Sequence, residues 1–450
     1  MYKLIAKFLI LVTLMTLLKS APVIPPRKIY HLDKLIRVHP KTTDQVLALE
    51  RLQENLPAEI DFWKRPNINA DVDIHVPIKV YDDVIQRLSR ADLKPTLLVH
   101  DIQSVMDQEE ASMEIPDYVI DVTGAMAFPA LKLRETDIVG KFARHAEMDS
   151  WLLRMASQYS AIAKTESIGI TYEGRDMKVI KVGRNLDART KPVIWIEAGI
   201  HAREWIAPAT AIYIINTLLT GYGSDPVVTR LMEEFDWHIL PSANPDGYEY
   251  SHTTDRLWRK NRSRQSFWCI GVDQNRNFNI SFGGASTSRN PCSDIYPGTG
   301  AFSESETRNI RDALLSEKGR IKLFLSFHAY SQLLLTPCSF TFNKPSDYSE
   351  MLRVAEAGLK SLEAVHGSVY TAGTPPDILY PASGGSYDWA KAVAGIKYSY
   401  TYELRPKDAT FGGAGFVIPE SEIKPNAEEV WASLVTMAGE IYNTKEEISN

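Results

Sequence analysis

From about Thr136 to the end of the chain, short apolar runs alternate with longer stretches of helical periodicity. The runs Val193–Ala198, Trp237–Leu240, Lys322–Phe327 and Lys397–Leu404 read as buried strands. Helical patterns near Ala207–Thr220, Glu304–Glu317, Tyr348–Val365 and Ala427–Tyr442 separate or flank them. This alternation predicts an α/β domain whose mixed, largely parallel sheet is flanked by helices. Ligands in such sheets bind beyond the carboxyl ends of central strands, so the residues that follow each strand are where chemistry is to be sought.

The remainder of the chain follows a different pattern. With 450 residues the sequence is too long for one ordinary core. Between Lys28 and Met113 the order reads strand, helix, strand, strand, helix, strand. The predicted strands lie near Lys28–Leu32, Ile60–Trp63, Asp73–Val76 and Thr96–Val99, the helices near Asp44–Asn55 and Val80–Leu88. That order predicts a small ferredoxin-like α+β module with both helices on one face of an antiparallel sheet. A linker follows in which Lys132 and Arg134 flank Leu133. It fits two readings, a site for trypsin-like cleavage and an uncut surface loop.

At the N-terminus a basic start, an apolar core from Phe8 to Leu18 and a close on Lys19-Ser20-Ala21 have the layout of a signal peptide. The apolar core is about half the length that spans a bilayer, which makes a retained anchor the weaker alternative. No later segment is long and apolar enough to span. The expected division is a signal over residues 1–21, a module and linker over 22–134, and the α/β domain over 135–450. A net charge of −6 with both signs interspersed excludes a backbone-tracking nucleic-acid partner. Ordinary apolar and charged contents exclude disorder and a collagen-like chain. The three cysteines, Cys269, Cys292 and Cys338, leave one thiol without an intramolecular partner if two pair. A bridge between Cys269 and Cys292 would restrain the polar loop between them; three buried thiols are the alternative.

Strand ends carry the reactive residue types. Val193–Ala198 is followed by Gly199-Ile200-His201-Ala202-Arg203-Glu204-Trp205, and Lys322–Phe327 by His328-Ala329-Tyr330. Two imidazoles and a carboxylate form the His₂Glu set that suits catalytic zinc with one position left open. Alone, a His-x-x-Glu pair is more often surface chemistry; its placement at a strand end is what favours a metal. The last strand delivers Glu403 toward the same crevice. Burying an ionised carboxylate is unfavourable without a partner, so the alternative for Glu403 is an internal ion pair, with Arg405 as the nearest candidate. Asn275-Arg276-Asn277 reads, by itself, as a polar loop.

Taken together these motifs resemble the zinc metallocarboxypeptidases of the pancreatic A/B type, in their zymogen form. The similarity is carried by His-Ala-Arg-Glu-Trp at 201–205, Asn-Pro-Asp-Gly-Tyr at 244–248, Arg256-Leu257-Trp258-Arg259-Lys260, Asn275-Arg276-Asn277, Ser383-Gly384-Gly385-Ser386 and Glu403-Leu404-Arg405. Asp61-Phe62-Trp63 is similar to the family's activation segment. The resemblance implies one zinc ion held by His201, Glu204 and His328, with Glu403 as general base toward a zinc-activated water and Arg259 stabilising the oxyanion. It further implies that Asn275 and Arg276 hold the substrate's terminal carboxylate, and that Tyr380 closes over it. Arg203, Arg256, Tyr330 and Phe416 match positions along the subsites for upstream residues. Cys269 and Cys292 match the family's disulfide. The implied protein is a secreted, monomeric precursor, free of the membrane once its signal is removed, activated by a trypsin-like protease and acting on peptide or protein C-termini.

Tyr387 stands where the resemblance places the floor of the specificity pocket, with Leu335, Leu379 and Ala382 on its walls. A phenol there, and no carboxylate, predicts the A-type preference for uncharged aliphatic or aromatic terminal residues. The alternatives are a B-type preference for Lys or Arg, which Ser339 favours, and a catalytically silent peptide-binding relative. The sequence departs from the pancreatic pattern at Ala329, usually serine, in a longer Pro406–Gly415 loop, and by one extra residue between Asp388 and Glu403. Asn261 and Asn279 begin N-glycosylation acceptor patterns.

Overall fold

A computed structural model describes residues 26–56, 60–113, 137–409 and 414–449, with side chains through 443. The expected signal segment and the linker residues Lys132 and Arg134 lie outside the described residues. Among the described residues no helix is long and apolar enough to cross a membrane.

The N-terminal module contains β1 (Lys34–Val38), α1 (Thr43–Asn55), β2 (Asp61–Phe62), β3 (Val72–Val76), α2 (Tyr81–Arg90), β4 (Thr96–Val99) and α3 (Ile102–Ser112). Its sheet runs β2-β3-β1-β4 with every pair antiparallel, the ferredoxin-like order. Helix α1 starts where the Thr42 side chain accepts from the Gln45 amide, and α3 where Asp101 does the same for Gln103. Ile36, Val72, Ile74, Leu49, Val84 and Leu88 close a core of its own.

In the second domain β5 (Ala163–Ile170), β6 (Asp176–Val182), β7 (Val193–Ala198), β8 (Asp236–Leu240), β9 (Ile321–Ala329), β10 (Leu333–Leu335), β11 (Thr371–Gly373) and β12 (Tyr398–Leu404) form one sheet. Its order is β11-β10-β12-β9-β7-β8-β6-β5. The central four, β12-β9-β7-β8, are parallel, while β10 on β12 and the edge pair β5–β6 are antiparallel. Around the sheet lie α4 (His145–Gln158), α5 (Ile206–Gly221), α6 (Pro226–Glu234), α7 (Pro245–Thr253), α8 (Ser305–Ser316), α9 (Tyr348–His366), α10 (Pro375–Ile378), α11 (Ser386–Ala392) and α12 (Ile423–Ser449). One core packs Ile194, Ile196, Leu323, Leu325 and Phe327 against α5, α9 and α12; a second buries Val193, Trp195 and Phe324 on the other face. From β7 the chain moves to β8 on one side and later to β9 on the other. The strand order therefore reverses between β7 and β9, and a crevice opens at their carboxyl ends.

The expected strand at Lys28–Leu32 is displaced to Lys34–Val38. Its apolar residues serve docking instead: Tyr30 is buried, its hydroxyl donates to Asp255, and the Lys28 amide donates to the Thr254 carbonyl at 2.7 Å. Strands β5 and β6 carry Lys164, Glu166, Lys178 and Lys181, which hides an edge hairpin from an apolar-run reading. Cys269 and Cys292 are bridged, and Cys338 is a half-buried free thiol. Asn261 is fully buried and donates to Glu304 and Glu306, so the folded chain offers no room for a glycan there; Asn279 is exposed.

Candidate active site

After β7 the chain turns on Gly199, whose φ is +71° and where a Cβ would stand 2.8 Å from the Pro208 ring. Asn244, which caps α7 through the Gly247 amide, ties this turn down by donating to the Ile200 carbonyl at 3.2 Å and the Lys260 carbonyl at 3.0 Å. The motif at 244–248 thus acts as a clamp. The turn aims His201 and Glu204 at His328, the next-to-last residue of β9.

The ligand atoms of His201, Glu204 and His328 lie within 4.8 Å of one another, all buried. His201 Nδ1 is 2.8 Å from one Glu204 oxygen and His328 Nδ1 is 3.1 Å from the other, while the two Nδ1 atoms are 3.0 Å apart. Ligands about 2.0–2.2 Å from a tetrahedral zinc are separated by about 3.3–3.6 Å, so the triangle would admit that ion by opening a few tenths of an ångström. An outer carboxylate completes the fit: Asp273 sits 3.1 Å from His201 Nε2, which leaves Nδ1 as the free lone pair. Burial, with the Arg259 charge, lowers the His201 pKa and keeps the ring neutral, the state that ligates a metal. The two histidines outweigh burial at Glu204 and hold its carboxyl well below the usual range.

Glu403 is the register partner of His328 on the adjacent strand β12. Burial, reinforced by the Glu204 charge, raises its pKa well above the carboxylate range in the metal-free chain, despite attraction to His328. Arg405 takes no part in this: it forms a bidentate pair with Glu429 at 2.6 and 3.0 Å and a third bond to Glu422, removing the ion-pair alternative for Glu403. Arg259 is held by Asp273 at 2.9 Å and reaches within 3.8 Å of Glu204.

The same cavity is lined by Asn275, Arg276, Tyr330, Tyr380, Tyr387 and Phe416. Arg276 is fixed by donating to the Ser286 carbonyl at 3.0 Å and the Asn275 carbonyl at 2.9 Å. Gly384 packs so closely on it that a Cβ would be 2.2 Å from the Arg276 carbonyl oxygen. Leu335, Leu379, Ala382 and Tyr387 form the apolar side of the cavity. Ser339 is engaged with Asp388 through both its amide, at 3.1 Å, and its hydroxyl.

Arg203 and Arg256 lie outside the His201, Glu204 and His328 group and face the N-terminal module. Arg203 pairs with Asp61, and Arg256 grips Glu109 through Nε at 2.6 Å and Nη2 at 2.7 Å. Tyr330 donates to Asp73 at 2.8 Å, and Trp63 packs on Phe416 with ring centroids 5.1 Å apart. With Trp63 and Lys64 projecting into it, the cleft retains a cavity of about 60 Å³, far below the ~300 Å³ and more of ordinary ligand pockets. Asp61, Glu109 and Asp273 were not among the expected site residues. Their roles depend on partners far away in sequence, although the Asp101 cap signals the helix that carries Glu109.

Residues 148–433 match the zinc carboxypeptidase family, and residues 36–109 match the carboxypeptidase activation peptide family. The chain is similar to carboxypeptidase A2 of Mus musculus, 37% identical over 408 residues that make up 90% of this chain and 93% of that protein. It is 41% identical to carboxypeptidase B of Astacus astacus over 300 residues, 66% of this chain and 96% of that protein. Among solved structures, the carboxypeptidase A from Helicoverpa armigera superposes with a TM-score of 0.81 at 27% identity, covering 93% of this chain and 99% of that one. An enzyme-family match over more than half the chain, preceded by an activation-peptide match, places this protein among the zinc carboxypeptidases, in the precursor form that carries an activation domain.

Proposed function

We propose that the chain is a secreted precursor whose mature domain, residues 135–450, removes single uncharged residues from peptide C-termini. The observation that carries this reading is the convergence of His201, Glu204, His328 and Glu403 at the ends of three adjacent parallel strands, with Arg276 in the same cleft. Zinc, held by the first three, supplies a Lewis acid that makes water acidic near neutral pH. Glu403 takes the proton from the attacking water as its oxygen bonds to the scissile carbonyl carbon. It then hands that proton to the amine nitrogen as the C–N bond breaks. Arg259, fixed by Asp273, faces the negative charge that develops on the carbonyl oxygen. Asn275 and Arg276 bind the terminal carboxylate, Tyr380 closes over it, and this pairing limits cleavage to the last bond. The complete set of ligands and base argues against a silent peptide-binding relative.

Relatives carry both A and B in their names, so the pocket must decide the preference. The cavity wall offers apolar Leu335, Leu379 and Ala382 and the phenol of Tyr387. Ser339 is consumed by Asp388, and burial pushes the Asp388 carboxyl up to about 7, so neither presents a full negative charge to a basic side chain. Among otherwise identical peptides ending in Leu, Phe, Arg and Glu, the first two are expected to show at least about tenfold higher kcat/KM, the scale on which a pocket rejects a misfit. Their C-terminal amides should be poor substrates. Tyr387→Asp should gain activity on the Arg peptide. Wild type favouring Arg tenfold would reverse the assignment.

An activation-peptide domain implies proteolytic activation and peptide substrates. We assign the cut to a trypsin-like protease acting after Lys132 or Arg134, with the module from residue 22 holding the uncut chain silent. The filled cleft and the Asp61–Arg203 and Glu109–Arg256 pairs support this. Breaking a buried pair from one side costs about 3–5 kcal/mol. The double substitution Asp61→Asn with Glu109→Gln is therefore expected to raise the turnover of uncut chain about tenfold or more. An uncut wild type already as active as the trypsin-treated enzyme would remove the basis for latency.

A further inference from the structure

We propose that, once the activation module leaves, the cleft upstream of the scissile bond selects acidic side chains, with Arg203 and the Arg256–Ile418 pair as carboxylate receptors. The inference rests on the carboxypeptidase reading and names the substrates that this reading leaves open.

The module presents one carboxylate to each receptor. Asp61 meets Arg203, and Glu109 accepts from Arg256 at 2.6 and 2.7 Å and from the Ile418 amide at 3.0 Å. Beneath the module both arginines are 1% exposed, and each also has partners outside the module. Arg256 stacks on Trp205 at 3.6 Å and donates to the Arg203 carbonyl at 2.8 Å and the Phe416 carbonyl at 2.7 Å. Arg203 lies over the Phe416 ring at 4.2 Å and donates to the Leu257 carbonyl at 3.3 Å. Among the described residues, the carboxylates within ion-pair distance of either arginine belong to the activation module alone. Asp294 feels the Arg203 charge but forms no ion pair with it.

Departure of the module therefore leaves two preorganised cations without their ion-pair partners, and an unpaired charge in such a site is costly. An incoming carboxylate restores both sets of charge-assisted bonds, and the planar guanidinium fork suits that group above others. Arg203 precedes Glu204 in the chain, Arg256 donates to the Arg203 carbonyl, and both contact Phe416, so the two receptors are neighbours on one wall. The terminal carboxylate has its own receptor in Arg276, so these two are available to side chains upstream.

The zinc-loaded full chain, treated with trypsin until turnover of a blocked dipeptide reaches a plateau, serves as the enzyme. Hexapeptides sharing one terminal residue carry Glu, Gln or Lys in turn at each of the four positions before the penultimate bond's amine. At one or two positions Glu should exceed Gln about tenfold in kcat/KM, mainly through KM because remote contacts are made equally in ground and transition states. Arg203→Gln and Arg256→Gln should each erase the preference at one position. Glu and Gln peptides within twofold of each other everywhere, while the dipeptide is turned over, would overturn the inference and leave the carboxypeptidase reading intact. No turnover of the dipeptide overturns that reading and this inference with it.

Discussion

Chelation of the zinc is expected to abolish peptide hydrolysis, and stoichiometric zinc to restore it. The donors point to one ion per chain: His201 Nδ1, His328 Nδ1 and the Glu204 carboxylate converge, whereas the outer nitrogen of His201 is already engaged by Asp273. Without the cation, a carboxylate held well below its usual pKa remains buried beside a base whose pKa is raised. Metal binding should therefore also stabilise the fold, by about 4 kcal/mol when zinc exceeds its Kd a thousandfold. Metal content, thermal unfolding and turnover measured on the same samples give three readouts. His328→Ala should lose the metal and, with it, the stabilisation. Full turnover in protein with no measurable metal would sink the mechanism.

The His201, Glu204 and His328 group that could hold a metal was legible because its residues sit at strand ends and the strands are apolar runs. Val193–Ala198 is predicted and observed over the same residues, and β9 extends the predicted Lys322–Phe327 by one residue at its start and two at its end, so that it includes His328. Glu403 followed from its place near the end of β12. Local pattern could not show what closes around these residues. Asp273, the brace for both His201 and Arg259, lies in a loop without periodicity. Glu197 is buried in β7, where it accepts hydrogen bonds from Ser326 at 2.9 Å and from Ser386, tying β7 to β9 and α11. Burial raises its pKa, yet the sequence shows only an acid within an apolar run. Asp61 and Glu109 belong to an interface between domains, and their partners Arg203 and Arg256 acquire them through tertiary packing. The predicted strand at Lys28–Leu32 failed for the same reason: Tyr30 is apolar enough for a strand, but it is spent on the other domain.

The second large effect belongs to Glu403→Gln, which should lower kcat by about 10²–10⁴, the scale of a general acid–base group, with KM and zinc content close to wild type. Strand β12 explains why the change is so selective. Side chains alternate along it: the Tyr402 hydroxyl reaches Ser433 in α12 at 2.6 Å, while Thr401 and Glu403 face the cleft. The register with β9 sets Glu403 beside His328 without making it a member of the ligand triangle. Glutamine preserves the shape and the polar end of the side chain but cannot accept the proton from water, so the loss falls on the chemical step. It also removes a buried acid whose ionisation is opposed by burial and by Glu204, so stability should be retained or slightly improved. Near-normal kcat in this variant would assign the base elsewhere. Loss of zinc would instead place Glu403 in support of the ligands, and equal losses of kcat and zinc occupancy would deny it a separate part in proton transfer.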